Sequence, residues 1–179
     1  MSAAYNIRVV GDPVLRTPAA EVTDIDGRLA KLAHDMLDTM YEAPGLGLAA
    51  PQVGVGKRLF VYDLDPDGRT SPGVLVNPRI VEAEGEWAYE EGCLSIPGLS
   101  FEIVRPKVVH LVGFDLDGNE VSVEADELTA RLFQHELDHL DGVLMTERMD
   151  PDTKKRALKE IRRMRERVEG PRERASFFA

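Results

Sequence analysis

His135, Glu136 and His139, in the stretch QHELDHLDG at 134–142, have the spacing of a hydrolytic metal site. Residues four apart on a helix share a face, so both imidazoles can turn toward one ion. Glu136, one place on, reaches a water on that ion without filling a ligand position. The plainer reading is a chance match between two core or surface histidines. The pattern runs on through Gly142 to Met145, where a related protease signature carries a third histidine. A catalytic ion wants three protein ligands and one open position. Met145 is a thioether and a poor ligand for a hard divalent ion. Glu160 stands at a distance seen in another protease class, but in a charged helix where solvent and i,i+4 partners compete for it. Cys93, in EEGCLSIPG at the end of a predicted strand, offers a thiolate; against it stands a plain buried thiol. His34 and His110 have no such spacing and read as structural or exposed.

A second segment, GLGLAAPQVG at 45–54, is glycine-rich. Gly45-x-Gly47-x-x-Ala50, with Asp65 downstream, imitates a dinucleotide fingerprint. That fingerprint follows a strand and opens a helix; here it follows a predicted helix and leads into a predicted strand. Gly56-Lys57-Arg58 fails as a phosphate loop, lacking the leading Gly and the closing Ser/Thr. The segment reads as backbone bared for close approach by an extended ligand, with Gln52 placed to donate through its amide. The alternative is a flexible loop. Glu91, beside Cys93, reads either as an ordinary surface residue or as a carboxylate held by Arg105 behind the metal ligands.

These residues need elements to position them. GDPVLRTPA at 11–19 reads as an irregular arm. A helix is predicted from Asp26, because Leu29, Leu32, Ala33, Met36, Leu37 and Met40 recur at spacings of three and four; Pro44-Gly45 stops it. Strands are predicted at 57–64, 73–85 and 86–94. A hairpin of 103–116 and 120–125 is predicted around Asp117-Gly118-Asn119. Glu124 or Asp126 caps a second helix, with Leu128, Leu132 and Leu140 on its apolar stripe and Gly142 just past its end. Pro151 opens a third helix, charged on most sides, with pairs such as Glu160 and Arg163. It ends near Gly170-Pro171. Regular strand–helix alternation is missing, which argues for an α+β chain with antiparallel sheets. The expected organisation is one catalytic domain at 1–150, a C-terminal helix at 151–170 and a tail at 171–179.

The bulk numbers read as a soluble, globular protein. The 179 residues suit one domain with a real core, and 43% hydrophobic with 30% charged content reads as globular. Cys93 is the only cysteine, so no intrachain disulfide forms and a reducing compartment suits the chain. No leader-like apolar run opens the sequence, and the uncharged stretch 43–56 is too short and too broken by Gly and Pro to span a bilayer. The expectation is a cytoplasmic protein without a membrane partner. The net charge of −10 is unevenly placed: residues 154–174 hold ten Lys/Arg against four Glu, and the body before them is strongly acidic. An acidic body does not bind nucleic acid nonspecifically, and no DNA partner is expected; a basic tail is the one part suited to contact nucleic acid.

Three segments together resemble the motifs of one family. Gly45-Leu46-Gly47-Leu48-Ala49-Ala50-Pro51-Gln52, Glu91-Gly92-Cys93-Leu94-Ser95 and Gln134-His135-Glu136-Leu137-Asp138-His139-Leu140 look like the three motifs of the peptide deformylases, bacterial type, in the family's order and separation. The resemblance runs from GDPVLR to the third helix. It implies antiparallel sheets packed around a central helix carrying HExxH, plus N-terminal and C-terminal helices. It implies removal of the formyl group from the N-terminal formyl-methionine of new polypeptides. Cys93, His135 and His139 would bind one Fe2+, for which Zn2+, Ni2+ or Co2+ could substitute. Glu136 would be catalytic, and Gln52 with the N–H of Leu94 would hold the oxyanion. Leu46, Tyr89 and Leu132 would line the methionine pocket, with Gly47 pairing to the substrate backbone. The basic third helix would either be a solvated face or contact the ribosome. A zinc metalloprotease is the rival with the same chemistry. A ribosome-associated module with a structural metal is the rival from another class, but a structural site would need four protein ligands.

Overall fold

The computed structural model describes residues 5–169 of the chain. The first helix, α1 (Gly27–Glu42), starts where Asp26 accepts the Leu29 N–H at 2.9 Å, a side-chain N-cap that satisfies one of the orphan donors of the first turn. Its predicted stripe is the buried one: Leu29, Leu32, Ala33, Met36 and Met40. Four strands then follow, β1 (Gly47–Ala49), β2 (Leu59–Tyr62), β3 (Gly73–Glu84) and β4 (Trp87–Cys93), and after them β5 (Ile96–Arg105), β6 (Val108–Phe114) and β7 (Glu120–Asp126). They make two antiparallel sheets, one of order β1-β2-β3-β6-β7 and one of β4 with β5.

The larger sheet is sandwiched where it matters. Side chains alternate along a strand, so Leu48, Leu59, Val61 and Val76 pack toward α1. Ala49, Phe60 and Leu75 pack in the opposite core with Ala130, Leu132, Phe133 and Leu140 of the second helix, α2 (Glu127–Leu140). A strand buried on both faces reads as a continuous apolar run, which is why LFVY at 59–62 stood out. The strand predicted over 57–64 is trimmed to those four residues.

Two expectations are corrected. The run 103–116 is not one strand. It divides at Pro106-Lys107, so that β5 pairs with β4 while β6 pairs with β3 and β7. Proline has no N–H for a ladder, and the chain changes sheets there. The hairpin around Asp117-Gly118-Asn119 is therefore that of β6 and β7, with Asp115 accepting from the Asp117 and Asn119 N–H groups and Gly118 at φ +80°. The second is the alternative reading of 45–54 as a flexible loop. The segment holds β1 and then a short 3-10 helix, Ala50–Val53.

The third helix, α3 (Pro151–Glu169), is not charged all round. Ala157, Ile161 and Met164 enter a third core with Ile96, Phe101, Ile103 and Met145. Among the described residues, the ion pair along this helix is Arg162–Glu166 at 3.4 Å rather than Glu160 with Arg163. The end of this helix near Gly170-Pro171 and the tail at 171–179 lie outside the described residues. At the far end of α2, Gly142 stands at φ +72°, and a Cβ there would come 2.8 Å from the backbone of Arg16. The glycine lets the N-terminal arm pass close enough for the Ala19 N–H to reach the Leu140 carbonyl at 2.8 Å. Among the described residues no helix is long and apolar enough to cross a membrane.

Candidate metal centre

The α2 helix turns His135 and His139 toward the end of β4. Their Nε2 atoms lie 3.2 Å apart, and Cys93 Sγ lies 3.3 Å from His139 Nε2. Among the described residues this is the one group of three donor side chains that converge on a point, with all ligand atoms within 4.8 Å of one another. The separations of 3.2 and 3.3 Å are close to the edges of a tetrahedron around an ion bonded at about 2.0–2.3 Å. Two imidazoles and one thiolate suit a borderline transition metal and leave a fourth position for a reactant. Burial would raise the Cys93 thiol, but the imidazoles of His139 and His135 outweigh it and hold it well below the usual thiol range. That is the form a metal binds. The other candidate ligands are elsewhere: Met145 is in the third core, and Glu160 is exposed on α3. His34 is exposed, and His110 bonds Ser122 Oγ at 2.7 Å.

His135 is oriented from behind. Its Nδ1 bonds Glu91, which frees Nε2 to face the cluster. Glu91 is buried and gripped by Arg105, which donates from Nε at 2.8 Å and from Nη2 at 2.7 Å. Burial alone would push the Glu91 carboxyl up; the bonds from Arg105 and His135 carry it well below the ordinary carboxylate range. Arg105 also donates to Asp138 at 2.8 Å. Arg131 adds a bond to Glu91 at 2.8 Å and one to the Trp87 carbonyl at 2.6 Å, and Arg148 closes on Asp138 at 2.6 Å. Sequence reading placed Glu91 with Arg105 and missed Arg131, Asp138 and Arg148. One signal for Arg131 was available: it precedes His135 by four, on the face that also carries His139.

Glu136 is 4% exposed, and its Oε2 has no hydrogen-bond partner. Burial pushes its carboxyl up to about 7, against the lowering effect of His135 and His139. A carboxyl poised near neutrality is suited to taking and returning a proton. Gln52, 1% exposed, is locked by its Oε1, which accepts from the Ala49 N–H at 2.9 Å. This turns Nε2 toward Ser95 Oγ, 3.1 Å away, and toward Cys93 Sγ at 3.8 Å.

Of these side chains, Gln52, Glu91, Cys93, His135 and Glu136 border one cleft of about 820 Å³, between β1 on one side and β4 and α2 on the other. Leu46, Gly47, Tyr89 and Leu132 line it together with Gln52, Leu94, His135 and Glu136. Arg131 and Leu128 also reach it, which the sequence did not suggest. Tyr89 stacks on Trp87 with ring centroids 4.6 Å apart, and the Arg131 guanidinium lies 5.2 Å from the Trp87 ring centre.

The sequence profile of the family described as "Polypeptide deformylase" matches residues 4–155. A peptide deformylase of Acidothermus cellulolyticus is 51% identical over 160 residues, 89% of this chain and 87% of that protein. One of Clostridium botulinum is 49% identical over 146 residues, 82% of this chain and 97% of its own. Among solved structures, the peptide deformylase of Thermus thermophilus is 42% identical and superposes with a TM-score of 0.87, covering 94% of this chain and 100% of that one. A Synechococcus elongatus peptide deformylase in complex with actinonin is 43% identical, with a TM-score of 0.83 over 87% and 86% of the two chains.

Proposed function

Since the chain belongs to the peptide deformylase family, we propose that its metal ion is held by Cys93, His135 and His139, with Glu136 as the general base. The enzyme is a metal-dependent hydrolase that removes the formyl group from the N-terminus of newly made polypeptides. The observation that carries the residue assignment is the convergence of one thiol and two imidazoles beside a buried carboxylate in a cleft.

An ion held there supplies a Lewis acid and acidifies the attacking water. The chain's own residues do the rest. Glu136 accepts the proton of the water as it attacks the formyl carbon, then delivers it to the nitrogen of the departing amine. Formate and a free N-terminus result. The Gln52 amide and the Leu94 N–H meet the charge that grows on the carbonyl oxygen. Leu46, Tyr89 and Leu132 surround the methionine side chain, and Gly47 pairs with the substrate backbone as an added strand does. Glu91 holds His135, and Arg105 holds Glu91.

The ion is Fe2+ on this reading, since the family resemblance points to iron; the donor set accepts Zn2+, Ni2+ and Co2+ as well. The substrate on this reading is the formyl-methionyl nascent chain, and the compartment is the cytoplasm, where a lone unpaired cysteine is suited to reducing conditions. The basic face of α3 supplies a contact with the ribosome. The test is formate release from a formyl-methionyl peptide by anaerobically prepared, metal-quantified protein, set beside cleavage of internal peptide bonds. Glu136→Gln is expected to keep the metal and lose turnover. Formate release by that variant near the parent rate would overturn the role of Glu136, and internal cleavage without formate would support the metalloprotease instead.

A further inference from the structure

The two groups assigned to the oxyanion stand on different sheets. Gln52 lies on the short 3-10 helix that follows β1, at the edge of the five-stranded sheet. Leu94 lies in the two-residue turn between β4 and β5, the separate two-stranded sheet. No ladder joins these sheets, so ladder hydrogen bonds do not set the distance between the two donors. Something else must, because a donor misplaced by about 1 Å costs on the order of 100-fold in rate.

We propose that Ser95 is the positioning residue that fixes this distance. It follows Leu94 in the same turn and is fully buried. Its Oγ accepts from Gln52 Nε2 at 3.1 Å, a direct side-chain bond across the gap and shorter than the 3.8 Å from the same nitrogen to Cys93 Sγ. The Gln52 amide is then held at both ends, by the Ala49 N–H on Oε1 and by Ser95 on one Nε2 hydrogen. An amide nitrogen carries two hydrogens, so the second is left to point toward the metal ligands, where Cys93 Sγ lies 3.8 Å away. The backbone repeats the link. The N-terminal arm donates from Arg8 N to the Gln52 carbonyl at 2.7 Å and from Val10 N to the Ser95 carbonyl at 2.9 Å. One strap of arm thus ties the same two residues that the side-chain bond ties. Ser95 is neither one of the residues lining the cleft nor one of the three donors that converge, so it acts through Gln52.

This inference rests on the assignment of Gln52 as an oxyanion donor, and the experiment separates the two. Ser95→Ala, Gln52→Ala and the double variant are compared as metal-loaded enzyme on a formyl-methionyl peptide, with metal content and melting temperature measured on the same preparations. Gln52→Ala is expected to lower kcat about 100- to 1000-fold. Ser95→Ala is expected to lower kcat about 10- to 100-fold, with KM within threefold and metal content unchanged. In the Gln52→Ala background the serine change is expected to do nothing further. Full additivity in the double variant, an unchanged kcat in Ser95→Ala, or a Ser95→Ala protein that loses its metal or its fold overturns the role of Ser95. A Gln52→Ala enzyme with the parent kcat overturns the donor assignment itself.

Discussion

Gly47 and Glu136 are packed so closely that a methyl group on Gly47 would stand 2.5 Å from Glu136 Oε1. Gly47 opens β1 and Glu136 is in the middle of α2, so the sheet edge and the metal helix meet at the carboxylate. Any side chain on Gly47 therefore displaces Glu136.

Gly47→Ala is expected to leave the fold nearly intact, because the atoms it meets are the movable end of a side chain. Moving that end takes the carboxylate away from the reacting atoms, at a cost of about 100-fold in kcat/KM for a displacement of about 1 Å. Melting temperature and bound metal should match the parent. Parent-like kcat/KM would mean that Glu136 works equally well from its displaced position.

Arg105→Ala attacks the support of the metal site. It removes one partner from two buried carboxylates, Glu91 and Asp138. Stranding buried charge in this way costs about 3–5 kcal/mol, or roughly 10 °C in melting temperature for a chain of this size. Because Glu91 orients His135, metal affinity is expected to weaken about 10- to 100-fold. Differential scanning calorimetry and metal titration read the two effects. A variant that melts and binds metal as the parent does would show that Arg131 and Arg148 carry the network without it.

How much of this was legible depended on whether a residue's neighbours are close in sequence. His135 and His139 were readable because helical periodicity converts a spacing of four into a shared direction. Cys93, 42 residues before His135, has no such rule; the donor chemistry and the resemblance singled it out. The alternation of β5 and β6 runs on through Pro106, so periodicity alone merged them. Strand β1 has three residues, too few to establish a period. Arg131 and Asp138 carry charge, which normally means surface, and their burial is explained only by the partners they meet from β4, β5 and beyond α2. Ser95 stands 43 residues from Gln52, and no spacing rule pairs the two.

Alkaline stability offers a test at a different place. The Tyr41 hydroxyl donates to the fully buried Asp63 at 2.7 Å. Burial, reinforced by that bond, pushes the phenol from its ordinary value near 10 up to about 12. The folded chain keeps this proton where the unfolded chain has lost it, so unfolding releases a proton between about pH 10 and 12. The contribution of Tyr41 is then complete below pH 10 and is lost as pH rises toward 12. Tyr41→Phe is expected to be less stable at pH 7 by about 1–3 kcal/mol, since Asp63 loses a buried donor. Its stability should then fall less steeply from pH 10 upward. Parallel curves for the two proteins would remove Tyr41 from the alkaline transition.

The α3 helix combines two properties that one deletion cannot separate. Its inner stripe of Ala157, Ile161 and Met164 closes the core under β5, and β5 is the partner of the strand that ends in Cys93. Truncation before Pro151 is therefore expected to lower stability and metal retention as well as any ribosome affinity, and cannot identify the docking surface. Charge reversal on the outer face can. Lys155, Lys159 and Arg163 are exposed, so changing all three to Glu leaves the core alone and should keep the melting temperature and the kcat on free peptide close to the parent values. If the basic face meets ribosomal RNA, affinity for purified ribosomes falls and its salt dependence flattens, because each lost phosphate contact removes about one unit from the slope. Unchanged ribosome affinity and slope would leave α3 as a purely structural element with a solvated basic face.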